Sequence, residues 1–321
     1  MYQSKYFWAE TSRDLREELK RTIDHDETAR LQRKQPLRHL MVTVRQFLFL
    51  GLSTWALIRY ENCWIVVFAA FLSGITVFNF TVLLHEQLHN LIFSRPHPRL
   101  NRLIGHLYAF WSGISSSQFT RWHLDHHLQL GSPVLDPKRH HLSPRKNSRL
   151  IKLLYFSPAL FIIYFRAAAK ETASYPLELK KKIRRERLVS ISGHLAFQVA
   201  LIVWGSLGIW FRAYALPVYF VFPLVFALNR VGQHYNITPD DPAGWTTWMA
   251  GHWFWDFLYL NSNYHLEHHY FPGVPFYNLP RLQALLTPLY LRHGLKPFNY
   301  LRLLYGYLVL NRQPHTHWDF A

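Results

Sequence analysis

The chain has 321 residues, 50% of them hydrophobic, with 36 Lys and Arg against 19 Asp and Glu and a formal net charge of +17. Such a charge suits a nucleic-acid binder, but the apolar residues come in long blocks, which excludes that class. A lone cysteine, Cys63, excludes an internal disulfide and any cysteine-held metal, while histidine is in excess with 20 copies.

Residues 1–40 are polar and charged, without an early apolar core, so a cytoplasmic N-terminal segment is expected there, not a secretory leader. About 20 apolar residues cross the hydrocarbon core of a bilayer. Blocks 41–59 and 62–84 meet that length and predict a first hairpin closed by the short link 59–61. Arg45 lies near one end of the first block, where its head can reach the lipid headgroups. Blocks 189–211 and 213–229 predict a second hairpin turning at Arg212, with Pro217 and Pro223 inside its last span.

Two shorter apolar stretches, 103–119 and 151–165, remain. The second carries Lys152 and Pro158 and lies between the basic clusters 138–149 and 180–187. A crossing there would strand one cluster on the far side, so both stretches are expected at the interface or partly inserted. Basic clusters favour the cytoplasm, and those at 30–38, 138–149 and 180–187 place both ends of each hairpin there. The predicted fold is an all-α integral membrane protein of one domain, residues 1–321. Four transmembrane helices form two hairpins beneath a cytoplasmic, histidine-rich cap.

Three histidine boxes follow the same order. HEQLH holds His85 and His89; RWHLDHH holds His123, His126 and His127; NYHLEHHYFPGVP holds His265, His268 and His269. On a helix, positions i, i+3 and i+4 share a face, so each box can aim its imidazoles at one point. His234, in NRVGQHYN, stands just beyond a predicted span and is the ninth candidate ligand, with His252 its competitor. His194 sits within a span and reads as a hydrogen-bonded core residue, whereas His140, His141, His315 and His317 fall in segments expected to be solvated.

HEQLH also matches the H-E-x-x-H signature of zinc proteases. A catalytic zinc takes three protein ligands, and the further clustered histidines weigh against that reading. Nine imidazoles suit two metals with four or five nitrogens each. Glu86 is expected to orient an imidazole through its other N–H; Asp125 and Glu267 occupy the same slot in their boxes and are expected to do the same or to pair with nearby arginines.

The boxes HEQLH, HLDHH and HLEHHYFPGVP, separated by apolar hairpins, resemble those of the membrane fatty acid desaturase superfamily over roughly residues 40–290. The FPGVP…NLP tail is the most specific part. The resemblance implies two ferrous ions held by the box histidines, less directly by His234, with O2 as co-substrate and a lipid acyl chain as substrate. No H-P-G-G haem-domain signature is present, so electrons are expected from a separate ferredoxin or cytochrome b5 type protein. The resemblance implies desaturation, with hydroxylation or ketolation as alternatives and a bacterial inner membrane or endoplasmic reticulum as location. A non-redox metal-binding or transport protein is the reading from another class, but transporters place their ligands at mid-membrane. Trp122, Trp253 and Trp255 are candidates for a substrate tunnel or for interfacial anchoring.

Overall fold

The computed structural model describes residues 7–138, 143–235, 237 and 240–315. Among these residues every regular element is helical; Met249 and Phe298 form an isolated bridge. Four helices are long and apolar enough to cross a membrane. They are α4 (Pro36–Arg59), α5 (Cys63–Leu88), α10 (Leu177–Val203) and α11, the run Leu207–His234. Three short helices precede them: α1 (Phe7–Thr11), α2 (Arg13–Thr22) and α3 (His25–Leu31).

α5 starts where Asn62 accepts hydrogen bonds from the Trp64 and Ile65 amides, satisfying groups that a helix start leaves open. It runs past the uncharged block to Leu88, so the first histidine box belongs to its last turn. α4 lies along α5, and Asn79 of α5 donates both to Gln46 and to the Leu258 carbonyl. Thus the Asn79 amide group, buried in the apolar layer, finds acceptors on both sides.

The second pair departs from expectation. The break falls at residues 204–206 instead of at Arg212. Ser206 ends one helix by donating its amide to Leu201 O at 3.1 Å, and starts the next by accepting from Ile209 N at 3.1 Å. A Cβ on Gly205 would lie 2.5 Å from Leu201 O, so the backbone turns where only glycine fits. α10 also begins earlier, which makes the basic cluster 180–187 its opening turns, not a loop. Its far half exposes Val189, Ile191, Leu195, Val199 and Val203, an apolar surface suited to lipid. In α11, residues Phe211–Val221 form a π-helical run that contains Pro217, and the wider turn accommodates a residue without an amide proton. Gly74 of α5 packs on that run: a Cβ there would come within 2.6 Å of Val221.

α6 (Pro98–Trp111) and α7 (Ser116–Gln129) lead from the first pair towards α8 (Arg149–Tyr155) and α9 (Ala159–Ala173), which are bent by 85° at a short break. Lys152 of α8 is buried and donates to Tyr307 O and Asn311 Oδ1, both at 2.8 Å. The remaining helices are α12 (Trp253–Leu258), α13 (His265–Tyr270), α14 (Leu279–Arg292) and α15 (Tyr300–Leu304). The N-terminal segment closes over this region. Leu15 and Leu19 of α2 are buried, Glu18 pairs with Arg292, and Tyr277 accepts from the Gln35 amide at 2.6 Å.

Candidate metal centre

Each box rides on a helix end. His85 and His89 close α5, His123, His126 and His127 lie on α7, His234 is the last residue of α11, and His265, His268 and His269 lie on α13. Ser115 starts α7 by accepting from the Gln118 amide at 3.1 Å, which sets the phase of the middle box. The nine imidazoles fall into two groups, within each of which the candidate ligand atoms lie within 4.8 Å of one another. His85, His89, His123, His127 and His268 form the first; His126, His234, His265 and His269 form the second. The groups adjoin, with the His127 and His269 rings 4.4 Å apart.

The nitrogens face each other at metal-ligand spacing. Nε2–Nε2 distances are 2.9 Å for His89–His123 and His127–His268, 3.1 Å for His234–His265 and His265–His269, and 3.3 Å for His126–His269. With a metal–nitrogen bond of about 2.1 Å, two ligands at right angles stand about 3.0 Å apart. His85 Nε2 is buried without any hydrogen-bond partner, an arrangement that is costly unless something else binds it. The residues therefore fit a metal. Burial holds His123, His126, His127, His265, His268 and His269 far below their ordinary titration range, and pushes His89 down to about 4 with help from the Lys138 charge. Neutral imidazole is the form that ligates.

Outer partners fix the rings. Asp136 takes the His126 Nδ1 contact at 2.8 Å, and the Trp245 carbonyl lies 3.3 Å from His234 Nδ1. Sequence reasoning missed Asp136, which lies outside every box; an acidic residue in a turn carries no periodic signal. It also placed Lys138 at the head of a basic cluster that marks the cytoplasmic side. Lys138 Nζ instead lies 3.2 Å from His123 Nδ1, and burial pushes its amine down to about 7.

The three box carboxylates diverge. Asp125 pairs with Arg121 at 2.7 Å, as one expectation had it. Glu86 accepts from the Phe276 amide at 3.0 Å and lies 3.7 Å from His85 Nδ1. Glu267, raised to about 7 by burial, accepts from Gln283 and Tyr290, both at 2.8 Å, and so ties its box to α14. His252 is exposed and its ring accepts from the Phe254 amide, so it is remote from the ligand groups. His194 is bonded to Phe110 O and Tyr214, as expected of a core residue. His315 contradicts expectation: it is buried, 3.3 Å from Arg230 O. His140, His141 and His317 lie outside the described residues.

A cavity of about 120 Å³ reaches His85, His123, His265 and His268 through apolar walls that include Phe78, Val82, Phe119 and Phe226. Trp122 lines it; Trp253 does not and is 76% exposed, and Trp255 packs on Tyr259 and Tyr300. Comparison with known proteins agrees with this construction. The fatty acid desaturase family model matches residues 61–300. A putative sphingolipid delta(4)-desaturase/C4-monooxygenase of Caenorhabditis elegans is 23% identical over 83% of this chain and 73% of its own length. A human sphingolipid delta(4)-desaturase/C4-monooxygenase is 23% identical over 80% and 76%, and a Drosophila melanogaster sphingolipid delta(4)-desaturase is 25% identical over 71% and 68%. The chain belongs to the fatty acid desaturase family and is a membrane oxidoreductase.

Proposed function

We propose that the chain desaturates the acyl or long-chain-base portion of a lipid at a di-iron centre held by His85, His89, His123, His126, His127, His234, His265, His268 and His269. The observation that carries the reading is the gathering of these imidazoles into two adjoining groups at ligand spacing, beside one apolar cavity. Iron bound there supplies activation of O2. The balance is R–CH2–CH2–R′ + O2 + 2 e⁻ + 2 H⁺ → R–CH=CH–R′ + 2 H2O.

The protein's own part is positioning. Neutral imidazoles offer Nε2 to the ions. Asp136 and the Trp245 carbonyl hold His126 and His234 from behind. The apolar walls keep water from the reacting carbons. Hydroxylation, R–H + O2 + 2 e⁻ + 2 H⁺ → R–OH + H2O, is the second reading, favoured by the monooxygenase activity in the names of the worm and human relatives. Those names make a sphingolipid the first substrate to try.

The whole chain acts as one domain. Its four spans form two hairpins that begin and end on the cytoplasmic face, with the cap on that side; the basic clusters support this orientation. Electrons come from a separate ferredoxin or cytochrome b5 type protein, docking near the 180–187 cluster. Lipid profiling of cells expressing wild type and His268→Ala tests the reading. A new double bond or hydroxyl is expected with wild type alone; its appearance in both refutes the assignment.

A further inference from the structure

We propose that Trp122 and Tyr164 form a hydrogen-bonding subsite for a neutral oxygen function of the lipid, a hydroxyl or amide carbonyl close to the carbons that react. The inference rests on the oxidative reading above and adds what the site recognises.

Trp122 is buried, and neither its Nε1 nor the Tyr164 hydroxyl has a hydrogen-bond partner. Both residues line the cavity shared with His85, His123, His265 and His268. Buried polar atoms without partners are rare and costly, and here two stand on one cavity wall. Their rings stack with centroids 5.7 Å apart. The wall is rigid: Gln118 of α7 donates to Ala168 O of α9 at 3.0 Å, and Ala167 and Ala168 pack beside both rings.

The indole N–H can only donate, whereas the phenol both donates and accepts. The complementary group is therefore an oxygen with free lone pairs. A plain methylene leaves both atoms unsatisfied. The neighbouring walls, Phe119 and Phe226, are apolar and penalise an anion. Of the two cations that line the cavity, Lys138 faces His123 Nδ1 and Arg230 donates to the Lys138 carbonyl. Trp122 directly precedes His123 on α7, and a cavity of about 120 Å³ admits a short segment of lipid, not a whole one. An oxygen held by Trp122 and Tyr164 thus lies a few bonds from the carbons presented to the imidazoles.

The test uses the iron-loaded chain, with O2 and a reduced ferredoxin or cytochrome b5 type donor present for the conversion assay, and two probes: an N-acyl long-chain amino diol with a saturated base, and the same lipid lacking the 3-hydroxyl. Apparent affinity is read from the lipid-induced rise in melting temperature, and conversion by mass spectrometry. Wild type should prefer the hydroxylated probe about tenfold, the scale of one buried hydrogen bond. Tyr164→Phe, which keeps the ring, and Trp122→Phe should each erase most of that preference. If Trp122→Phe fails to fold, Tyr164→Phe decides alone. Equal binding of both probes by wild type, binding of neither, or an unchanged preference in Tyr164→Phe overturns the subsite. A Tyr164-dependent preference without conversion keeps the subsite and refutes the oxidative reading. Conversion of both probes, indifferent to Tyr164 and Trp122, does the reverse.

Discussion

The two histidine groups differ in how the fold holds them. In the second group, His126, His234, His265 and His269 are all buried, and two of them are braced from behind by Asp136 and the Trp245 carbonyl. In the first, His85, His89 and His127 are only partly buried, and three members reach the cavity. The second group is wholly buried and reaches the cavity through His265; the first supplies most of the imidazoles on the cavity wall. A rigid site and an accessible one place different demands on the same residue type, and the surrounding helices, not the boxes, make the difference.

Removing a ligand gives the largest expected effect. His126→Ala, His89→Ala and His268→Ala should each abolish turnover and lower bound iron. Of His126→Ala and His89→Ala, only the first should also lower the melting temperature markedly, because it empties a fully buried position braced by Asp136. Equal melting temperatures for His126→Ala and His89→Ala would erase the distinction between the groups. Asp136→Ala comes next. Loss of a partner behind a metal-binding imidazole costs roughly 10–100-fold in metal affinity, so metal competition should show a weakened second group and an unchanged first.

Acid acts on both groups. Burial lowers the folded-state pKa of these imidazoles; His89 falls from its ordinary 6.5 to about 4. Between those values the unfolded chain binds protons that the folded chain does not, so folding stability falls as pH drops from 6.5. Above 6.5 the contribution is flat. Denaturant titrations of iron-free protein from pH 7 to pH 4 should show that slope, and a stability that rises on acidification contradicts it. The smallest effect belongs to Asp125. Its pair with Arg121 is largely exposed on the arginine side, and such pairs contribute about 0–1 kcal/mol. Asp125→Asn should leave iron content and turnover near wild type, whereas a large loss would place this carboxylate with Asp136.

The spans and the boxes were legible because both are periodic. An uncharged block such as 62–84 allows one structure in a bilayer, and H-x-x-H-H names a helix face. His234 was legible from its place at a span end. Asp136 and Lys138 were not, because turn residues are positioned by tertiary contacts that leave no pattern in the chain. The break between the last two candidate spans was misplaced for a local reason. Arg212 is the charge in the apolar run, but its guanidinium donates to Leu57 O and Glu61 from within the helix, while Gly205 and Ser206 make the break. The burial of His315 likewise depends on Arg230, far away in sequence.

Metal stoichiometry of the purified 321-residue chain tests the central claim most directly. Two groups of imidazoles predict about two irons per chain, falling to about one when His234 and His265 are replaced together. A single ion per active wild-type chain, or full activity with zinc in place of iron, contradicts the di-iron account.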